Sequence, residues 1–234
     1  MTTVVTEYNN AFTENKFRNP TLKNNLKILD VPLIEATGEN IKAYGRLINN
    51  KDDCKVEIVP WPTKGWRKLD PGTGDEGGTV EGPFSVDWKG DYYIGNNLAV
   101  KTTNNVYLDG LGCKPENASK DEKAEPPSHI YLWMSDYHPD GGQLFYPLEN
   151  EIPFVVCLGP NTAGDDIKPT DMKAFYIPKG KGVYIYPGTW HNGIYVEKKY
   201  CPAKFVTKQG AVHARISCSW ADEFGYLLKV PLKR

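Results

Sequence analysis

Two short stretches in the second half of the chain carry the side chains best suited to acid–base chemistry or metal binding. The first stretch, SDYHPDGGQLFYP at 135–147, contains Asp136, His138 and Gln143. Asp136 and His138 are two positions apart, so a strand here would project both side chains from one face. The Pro-Asp-Gly-Gly sequence at 139–142 predicts a turn. A second strand starting near Gln143 would then bring its amide back beside the other two side chains.

The second stretch is KGKGVYIYPGTWHNGIYV at 179–196. A predicted strand at 182–186 meets a Pro187-Gly188 turn, and His191 follows just beyond this turn. If the two stretches are neighbours in the fold, His191 completes a polar quartet with the three residues of the first stretch. Imidazole titrates near neutrality and suits proton transfer in either direction. Two neutral imidazoles, one carboxylate and one amide oxygen could also hold a divalent first-row metal ion, whose identity these ligand types do not fix.

Ordinary structural roles compete with chemistry at each of these positions. A single histidine in a β-protein is usually a packing or surface residue, Gln143 could cap a hairpin, and Asp136 could simply flank a turn. Aromatic side chains are common on half-buried strands, so Tyr184, Tyr186 and Trp190 are interpreted first as wall and core packing.

Two further positions invite a functional or a structural interpretation. His213 and Arg215 are two positions apart in a predicted late strand. One strand phase would turn both toward the cavity, and the other would turn both toward solvent. Cys157, inside the apolar run PFVVCLG, is expected to be an inert core residue.

The elements that must position these residues are predicted to be mostly strands. The chain has 22 glycines, 18 prolines and 14 tyrosines, which punctuate short apolar runs at intervals typical of β-proteins. Many strands with tight turns favour a barrel or a sandwich. The candidate strands lie at 27–36, where an edge strand is expected, and at 54–61, 91–113, 128–138, 142–148, 152–159, 172–180, 182–188 and 204–221.

Helix is predicted at one place, TGENIKAYGRLI at 37–48. Thr37 is a plausible N-cap, and Ile41, Tyr44 and Ile48 recur on one helical face. Two stretches are predicted to be polar loops, at 70–83 and at 113–128.

Length, charge and cysteine content limit the class of protein. A chain of 234 residues with 40% hydrophobic content can bury one substantial core, so a single domain over 1–234 is predicted. Lysine and arginine number 28 against 29 acidic residues, which gives no reason to expect nucleic acid or an anionic membrane and favours a small-molecule partner. Five widely spaced cysteines without a CxxC pair favour reduced thiols in a cytoplasmic protein. Neither a secretion signal nor a membrane span is recognisable.

The two stretches resemble the paired motifs of the cupin superfamily. The usual first cupin motif is HxH, three or four residues and then Glu, and the second is PxGxxH. Here the first reads Asp136-x-His138, four residues and Gln143, and the second reads YPGTWH with Gly188 and His191 on the pattern. With PFVVCLG between them, they are similar to the ureidoglycolate lyase family, whose N-terminal motif the segment VPLIEATGENIKAYGRLI also resembles.

This resemblance implies an all-β, cupin-type double-stranded β-helix barrel, similar to a β-sandwich or jelly roll, with one or two short helices. It covers about 30–48 and 130–200, and the residues around 50–128 are treated as a family-atypical insertion within the single domain. Cupin barrels commonly pair through an edge strand, which implies a homodimer.

The family's reaction is the cleavage of ureidoglycolate to glyoxylate and urea, a step in purine catabolism and allantoin degradation. The resemblance then gives His138 and His191 the acid and base roles, in an order left open, with Gln143 and Asp136 as the other catalytic residues. The same quartet is the candidate set of metal ligands, and no organic cofactor is expected. The candidate substrate-binding residues are Arg215, for the substrate carboxylate, and Tyr184, Tyr186 and Trp190.

Two alternatives stay open at this stage. One is a metal-dependent cupin isomerase, lyase or oxygenase that acts on another small polar acid, with the insertion reshaping the mouth of the pocket. The other is a non-catalytic cupin that binds small ligands, which would explain the altered ligand set without any reaction.

Overall fold

The fold is described by a computed structural model and is built mainly of strands. The structure describes residues 25–59, 65–71, 73, 77–90, 92–100, 106–110 (backbone only), 126–211 and 214–233. The strands are β1 (Lys27–Asp30), β2 (Leu33–Glu35), β3 (Gly45–Ile48), β4 (Thr79–Lys89), β5 (Tyr92–Asn97), β6 (Val106–Gly110), β7 (His129–Leu132), β8 (Met134–Tyr137), β9 (Gln143–Pro147), β10 (Phe154–Leu158), β11 (Lys173–Ile177), β12 (Gly182–Ile185), β13 (Ile194–Tyr195), β14 (Ala203–Gly210), β15 (Ile216–Ser219) and β16 (Tyr226–Pro231). The helical elements are α1 (Gly38–Ile41), short 3-10 turns at Lys51–Asp53, Asn161–Asp166, Pro169–Asp171 and Lys198–Tyr200, and a π turn at Trp220–Phe224.

The strands form several sheets whose pairing is mostly antiparallel. The largest has the order β3-β12-β9-β14-β4-β5-β6, and a second has the order β13-β10-β11-β2. Two smaller sheets, β1-β16-β7 and β15-β8, complete the described fold. This architecture confirms the all-β, cupin-type prediction.

The main hydrophobic core contains residues of all four sheets, including the two larger ones. Alternate residues of β9 and β14 turn inward, and Phe205 of β14 meets Phe154 of β10 edge to face, with ring centroids 5.1 Å apart. Phe84 of β4 packs against Phe145 of β9 in the same way at 4.9 Å. Cys157, in β10, is buried in this cluster, as expected for a core residue. Cys54, Cys201 and Cys218 are free thiols.

The predicted helix at 37–48 is wrong over most of its length. Thr37 does cap a helix, because its hydroxyl accepts the Asn40 N–H, but the helix ends at Ile41. The chain then enters β3, which pairs with β12. A Cβ at Gly45 would lie 2.1 Å from the Tyr184 carbonyl oxygen, so this close pairing requires glycine. The apolar spacing read as one helical face is thus divided between a helical turn and a strand.

The other strand predictions are confirmed only in part. The segment 27–36 forms two strands, and both lie at sheet edges as expected. The segment 54–61 forms only an isolated bridge, between Ile58 and Gly141, within its described part. The segment 204–221 divides into β14 and β15, and β4 begins at Thr79, inside the predicted polar loop 70–83.

Some predicted features lie wholly or partly outside the described residues. They are His213, most of the polar loop 113–128, and parts of the loop 70–83 and of the predicted strands at 54–61 and 91–113. Among the helices of the described part of the chain, none has the length and hydropathy needed to cross a membrane.

Candidate functional site

The two polar stretches are joined by backbone hydrogen bonds beside the end of β8. The Asp136 N–H donates to the His191 carbonyl at 2.6 Å, and the His191 N–H donates to the Asp136 carbonyl at 2.7 Å. The Gly188 N–H donates to the His138 carbonyl at 3.0 Å. Gly188 has φ +74°, a left-handed conformation that glycine adopts without strain and that closes the Tyr186–Thr189 turn.

The turn between β8 and β9 is equally confined. A Cβ at Gly142 would lie 2.2 Å from the Tyr184 hydroxyl and 2.6 Å from the Ile185 carbonyl oxygen. The Gly142 N–H donates to the Glu57 carbonyl, so the first part of the predicted insertion also contacts this turn. Gln143 therefore begins β9 directly beside the histidines, as the sequence predicted.

All four residues of the predicted quartet are buried and lie together. The exposed fractions of Asp136, His138, Gln143 and His191 are between 2% and 6%. The Nε2 atoms of His138 and His191 each lie 3.1 Å from the same atom, Oε1 of Gln143. The two imidazole rings meet edge to face, with centroids 5.0 Å apart.

The other nitrogen of each imidazole fixes its tautomer. His138 Nδ1 lies 2.9 Å from the Ala214 carbonyl oxygen, and His191 Nδ1 lies 2.8 Å from the Thr189 carbonyl oxygen. A carbonyl oxygen only accepts, so in both rings Nδ1 carries the hydrogen. Burial lowers the pKa of His191 from 6.5 to about 4, against the opposing effect of its bond to Thr189. Its Nε2 therefore presents a lone pair at neutral pH.

The amide of Gln143 meets these lone pairs with its oxygen. Its Nε2 donates to Thr207 Oγ1 at 3.1 Å and to Gln209 Oε1 at 2.9 Å, which leaves Oε1 directed at the imidazoles. When both imidazoles are neutral, three acceptor atoms thus converge in a buried space. Such a cluster is unfavourable unless a cation or a proton lies among them.

The donor set passes a simple test of fit for a divalent cation. Ligands about 2.1 Å from one ion and about 90° apart are separated by about 3 Å, which agrees with the 3.1 Å between Oε1 and each Nε2. The ligand atoms of Asp136, His138 and His191 all lie within 4.8 Å of one another. The Nδ1–H bonds to backbone carbonyls are also the usual outer contacts of metal-binding histidines.

Asp136 is the carboxylate of this cluster. Burial raises its pKa from 3.8 to about 7, the Arg215 guanidinium opposes this shift, and the Asp70 carboxylate adds to it. Asp136 Oδ2 lies 3.5 Å from Arg215 Nε, and Oδ1 has no hydrogen-bond partner in the described part of the chain. Asp136 can therefore change protonation state near neutral pH.

Arg215 joins the site to the predicted insertion. Its Nε–H donates to Asp70 Oδ2 at 2.7 Å, and the Ser217 hydroxyl donates to the same oxygen at 2.7 Å. Leu69 forms an isolated bridge to Ile216, so the segment 65–71 lies along β15. Sequence reasoning placed Asp70 in a polar loop and missed this contact, because the loop has no periodic pattern to show its position.

The predicted aromatic wall is not brought to the quartet as a unit. Tyr184 lies on the face of β12 opposite Val183 and Ile185, in a second apolar cluster with Leu144, and Tyr186 packs against that cluster. Trp190 is fully buried in the main core and donates from Nε1 to the Gly164 carbonyl at 2.8 Å.

Two site residues that the sequence reasoning missed are Thr207 and Gln209. They alternate along β14 with outward-facing residues, and both are buried. The sequence does show two polar residues at i and i+2 in a predicted strand. Whether their side chains are buried, however, depends on the strands that pair with β14.

A model of a known family matches more than half of the chain. The family described as Ureidoglycolate lyase matches residues 92–220, which include all four residues of the quartet and Arg215. The matched range begins inside the segment 50–128 that the sequence predicted to be an insertion. The comparison with curated proteins gives no match.

Proposed function

Because the chain belongs to the ureidoglycolate lyase family, and its function is accordingly ureidoglycolate lyase-like, we propose that it cleaves ureidoglycolate itself to glyoxylate and urea in the pocket around Asp136. The observation that carries the site assignment is the convergence of His138 Nε2, His191 Nε2 and Gln143 Oε1. The substrate class is a small polar acid.

We propose that the two imidazoles and the Gln143 oxygen hold a divalent cation, with Asp136 Oδ1 at its side. When bound, such an ion would polarise a substrate oxygen and stabilise negative charge that develops on it. The ligand types do not choose among the first-row metals. In this assignment the histidines act as ligands, because both Nδ1 atoms donate to the backbone and both Nε2 atoms face Gln143.

Asp136 is then the residue that moves the proton. The reaction breaks the bond between the carbinol carbon and the urea nitrogen, turns the hydroxyl into the carbonyl of glyoxylate, and transfers one proton from oxygen to nitrogen. Asp136 Oδ1 can take the hydroxyl proton and return it to the departing nitrogen, so a single carboxyl serves as base and then as acid. Burial favours the protonated form of this carboxyl and the proposed cation favours its ionised form, so both protonation states are accessible during the reaction.

The charges near Asp136 support an anionic substrate only when a cation is present. Asp70 and Asp136 carry two negative charges against the one positive charge of Arg215, and the quartet's histidines are neutral ligands. A divalent ion changes this net charge from −1 to +1, which one substrate carboxylate neutralises. We propose that Arg215 contacts that carboxylate, since guanidinium groups bind carboxylates with good geometry.

The test is urea release from ureidoglycolate by purified protein, measured by colorimetry together with elemental analysis of bound metal. We expect turnover that is lost on chelation, restored by a divalent ion, and abolished in His191→Ala. Asp136→Asn should retain the metal but lose turnover by at least about 100-fold, as expected for a general acid–base group. Bound metal without urea release would instead favour a metal-dependent cupin acting on another small acid. The absence of both bound metal and urea release would favour a ligand-binding cupin.

We also propose a cytoplasmic homodimer that acts in purine catabolism, in allantoin degradation. Family membership supports the pathway, and the edge position of β3 in the largest sheet offers a strand for pairing. Light scattering on the purified protein tests the dimer, and a monomeric mass would contradict it.

A further inference from the structure

A row of three buried amides runs from the predicted insertion to the site. Asn97, in β5, Gln209, in β14, and Gln143, in β9, have exposed fractions of 4%, 1% and 3%. Asn97 Nδ2 donates to Gln209 Oε1 at 2.7 Å, and Gln143 Nε2 donates to the same oxygen at 2.9 Å. A primary amide can be reversed, which exchanges its oxygen and nitrogen, so its orientation depends on its neighbours.

The orientation of this row is fixed from its outer end. The Ala99 backbone N–H can only donate, and it donates to Asn97 Oδ1 at 3.2 Å. The Asn97 amide therefore turns its nitrogen toward Gln209, which must present its oxygen. The Gln209 oxygen in turn requires a donor from Gln143. The Thr207 hydroxyl, which lies 3.5 Å from Gln209 Oε1, can donate there and accept from Gln143.

Reversing Gln143 would be unfavourable at the Gln209 end, because its oxygen would then face Gln209 Oε1. At the other end its NH2 group would meet the two imidazole lone pairs as a donor, so without an ion it is the amide row that opposes the reversal. A glutamate at this position meets a related conflict, because one carboxylate oxygen would lie against Gln209 Oε1. These contacts give a physical reason for glutamine where the cupin motif has glutamate.

We propose that Asn97 and Gln209 are positioning residues that fix the Gln143 carbonyl oxygen in the site and select glutamine over glutamate there. The proposal rests on the proposed function for its metal-binding consequence, but the orientation itself does not require an ion. The residues act through Gln143 and do not contact the reacting atoms.

The test is a titration of the chelator-treated protein with Co²⁺, followed by absorption spectroscopy, in a double-mutant design. Gln209→Leu frees the Gln143 amide, and we expect Co²⁺ affinity to fall by about 10- to 100-fold, as outer contacts of metal ligands do. Gln143→Glu should restore the affinity in the Gln209→Leu protein, because a carboxylate presents oxygen in either orientation. The same substitution in the otherwise unchanged protein should bind Co²⁺ more weakly than the double variant.

The matched control is Asn96→Leu, which removes the neighbouring buried amide of β5 that is outside the row. Its Co²⁺ affinity should equal that of the unmodified protein. Unchanged affinity in Gln209→Leu would overturn the proposal. A loss that Gln143→Glu does not restore would also overturn it, since the loss would then be structural.

A second readout separates this proposal from the cation proposal. In the metal-free protein, nuclear Overhauser contacts should place the Gln143 amide protons beside Thr207, and in Gln209→Leu beside the imidazole ring protons. If the unmodified protein binds no Co²⁺, the cation assignment fails, and these contacts alone decide the amide orientation. Amide protons that stay beside Thr207 in Gln209→Leu would refute the positioning role.

Discussion

Replacing Asp136 with asparagine should remove a loss of stability that the unmodified protein shows as pH rises toward 7. The cause is the burial of the Asp136 carboxyl. Below pH 3.8 the carboxyl is protonated in both the folded and the unfolded protein. Between 3.8 and about 7 the unfolded chain releases the proton and the folded protein retains it, because burial raises the folded pKa. The folded state then binds more protons, so its stability falls as pH rises through this window and is level above it.

The size of this stability change follows from the difference between the folded and unfolded pKa of Asp136. One pKa unit corresponds to about 1.4 kcal/mol, so the interval from pH 5 to the folded pKa near 7 corresponds to about 3 kcal/mol. Asparagine is neutral throughout, so the free energy of unfolding of Asp136→Asn minus that of the unmodified protein should grow by about this amount between pH 5 and pH 8. The lowered pKa of His191 acts oppositely, with stability lost as pH falls from 6.5 toward 4, but it is common to both proteins and largely cancels in the difference.

The assay is urea denaturation of chelator-treated protein at pH 5, 6, 7, 8 and 9. The control is Asp52→Asn, which removes an exposed carboxyl whose pKa is lowered from 3.8 by its hydrogen bond to Lys51. This carboxyl is ionised in both the folded and the unfolded protein above pH 5, so the difference for Asp52→Asn should stay constant across the assay range. A difference for Asp136→Asn that is constant from pH 5 to pH 8, or that grows toward acid, would refute the argument that burial dominates at this carboxyl. Added Co²⁺ should remove the penalty in the unmodified protein alone, because a bound cation stabilises the ionised carboxylate.

Three further predictions concern packing around the site. Gly142→Ala should destabilise the protein by about 1–3 kcal/mol, because its Cβ would overlap the Tyr184 hydroxyl. The control Gly38→Ala, whose Cβ would have no neighbouring atoms within 4 Å, should not destabilise it, and thermal melts compare the two variants. Tyr184→Phe should lower stability by about 1 kcal/mol through loss of one hydrogen bond and leave urea release unchanged, and a large fall in turnover would contradict its place on the opposite face of β12. Arg67→Met should lower the free energy of unfolding by about 2 kcal/mol, because the buried guanidinium makes bidentate hydrogen bonds to Glu223 at 2.7 and 2.8 Å. In a double-mutant cycle, Glu223→Gln should recover part of this loss.

The motif residues were predictable because each lies at a strand end or a turn with a local signature. The sequences around Gly188 and before Gln143 are typical of turns. The spacing of Asp136 and His138 implied that both side chains lie on one face of a strand. The amide orientation of Gln143 was not predictable, because it depends on β14 and β5, which are distant in sequence.

The error at 37–48 has a similar origin. The spacing of Ile41, Tyr44 and Ile48 fits a helical face, yet Gly45 is needed where β3 approaches β12. A short apolar run does not distinguish helix from strand without its pairing partner. Asp70 could not be predicted for the same reason, since its role depends on the approach of a loop to Arg215.

The paired hydrogen bonds between Asp136 and His191 make the assembled site a reporter of completed folding. Their partners come from segments far apart in the chain, and a register slip of one residue along β8 would replace Asp136 by Tyr137. Intermediates that have formed only one of the two segments lack the convergent acceptor atoms. The absorption of Co²⁺ added during refolding would therefore rise only after this long-range pairing has formed. We expect this rise to follow the circular dichroism signal of the strands.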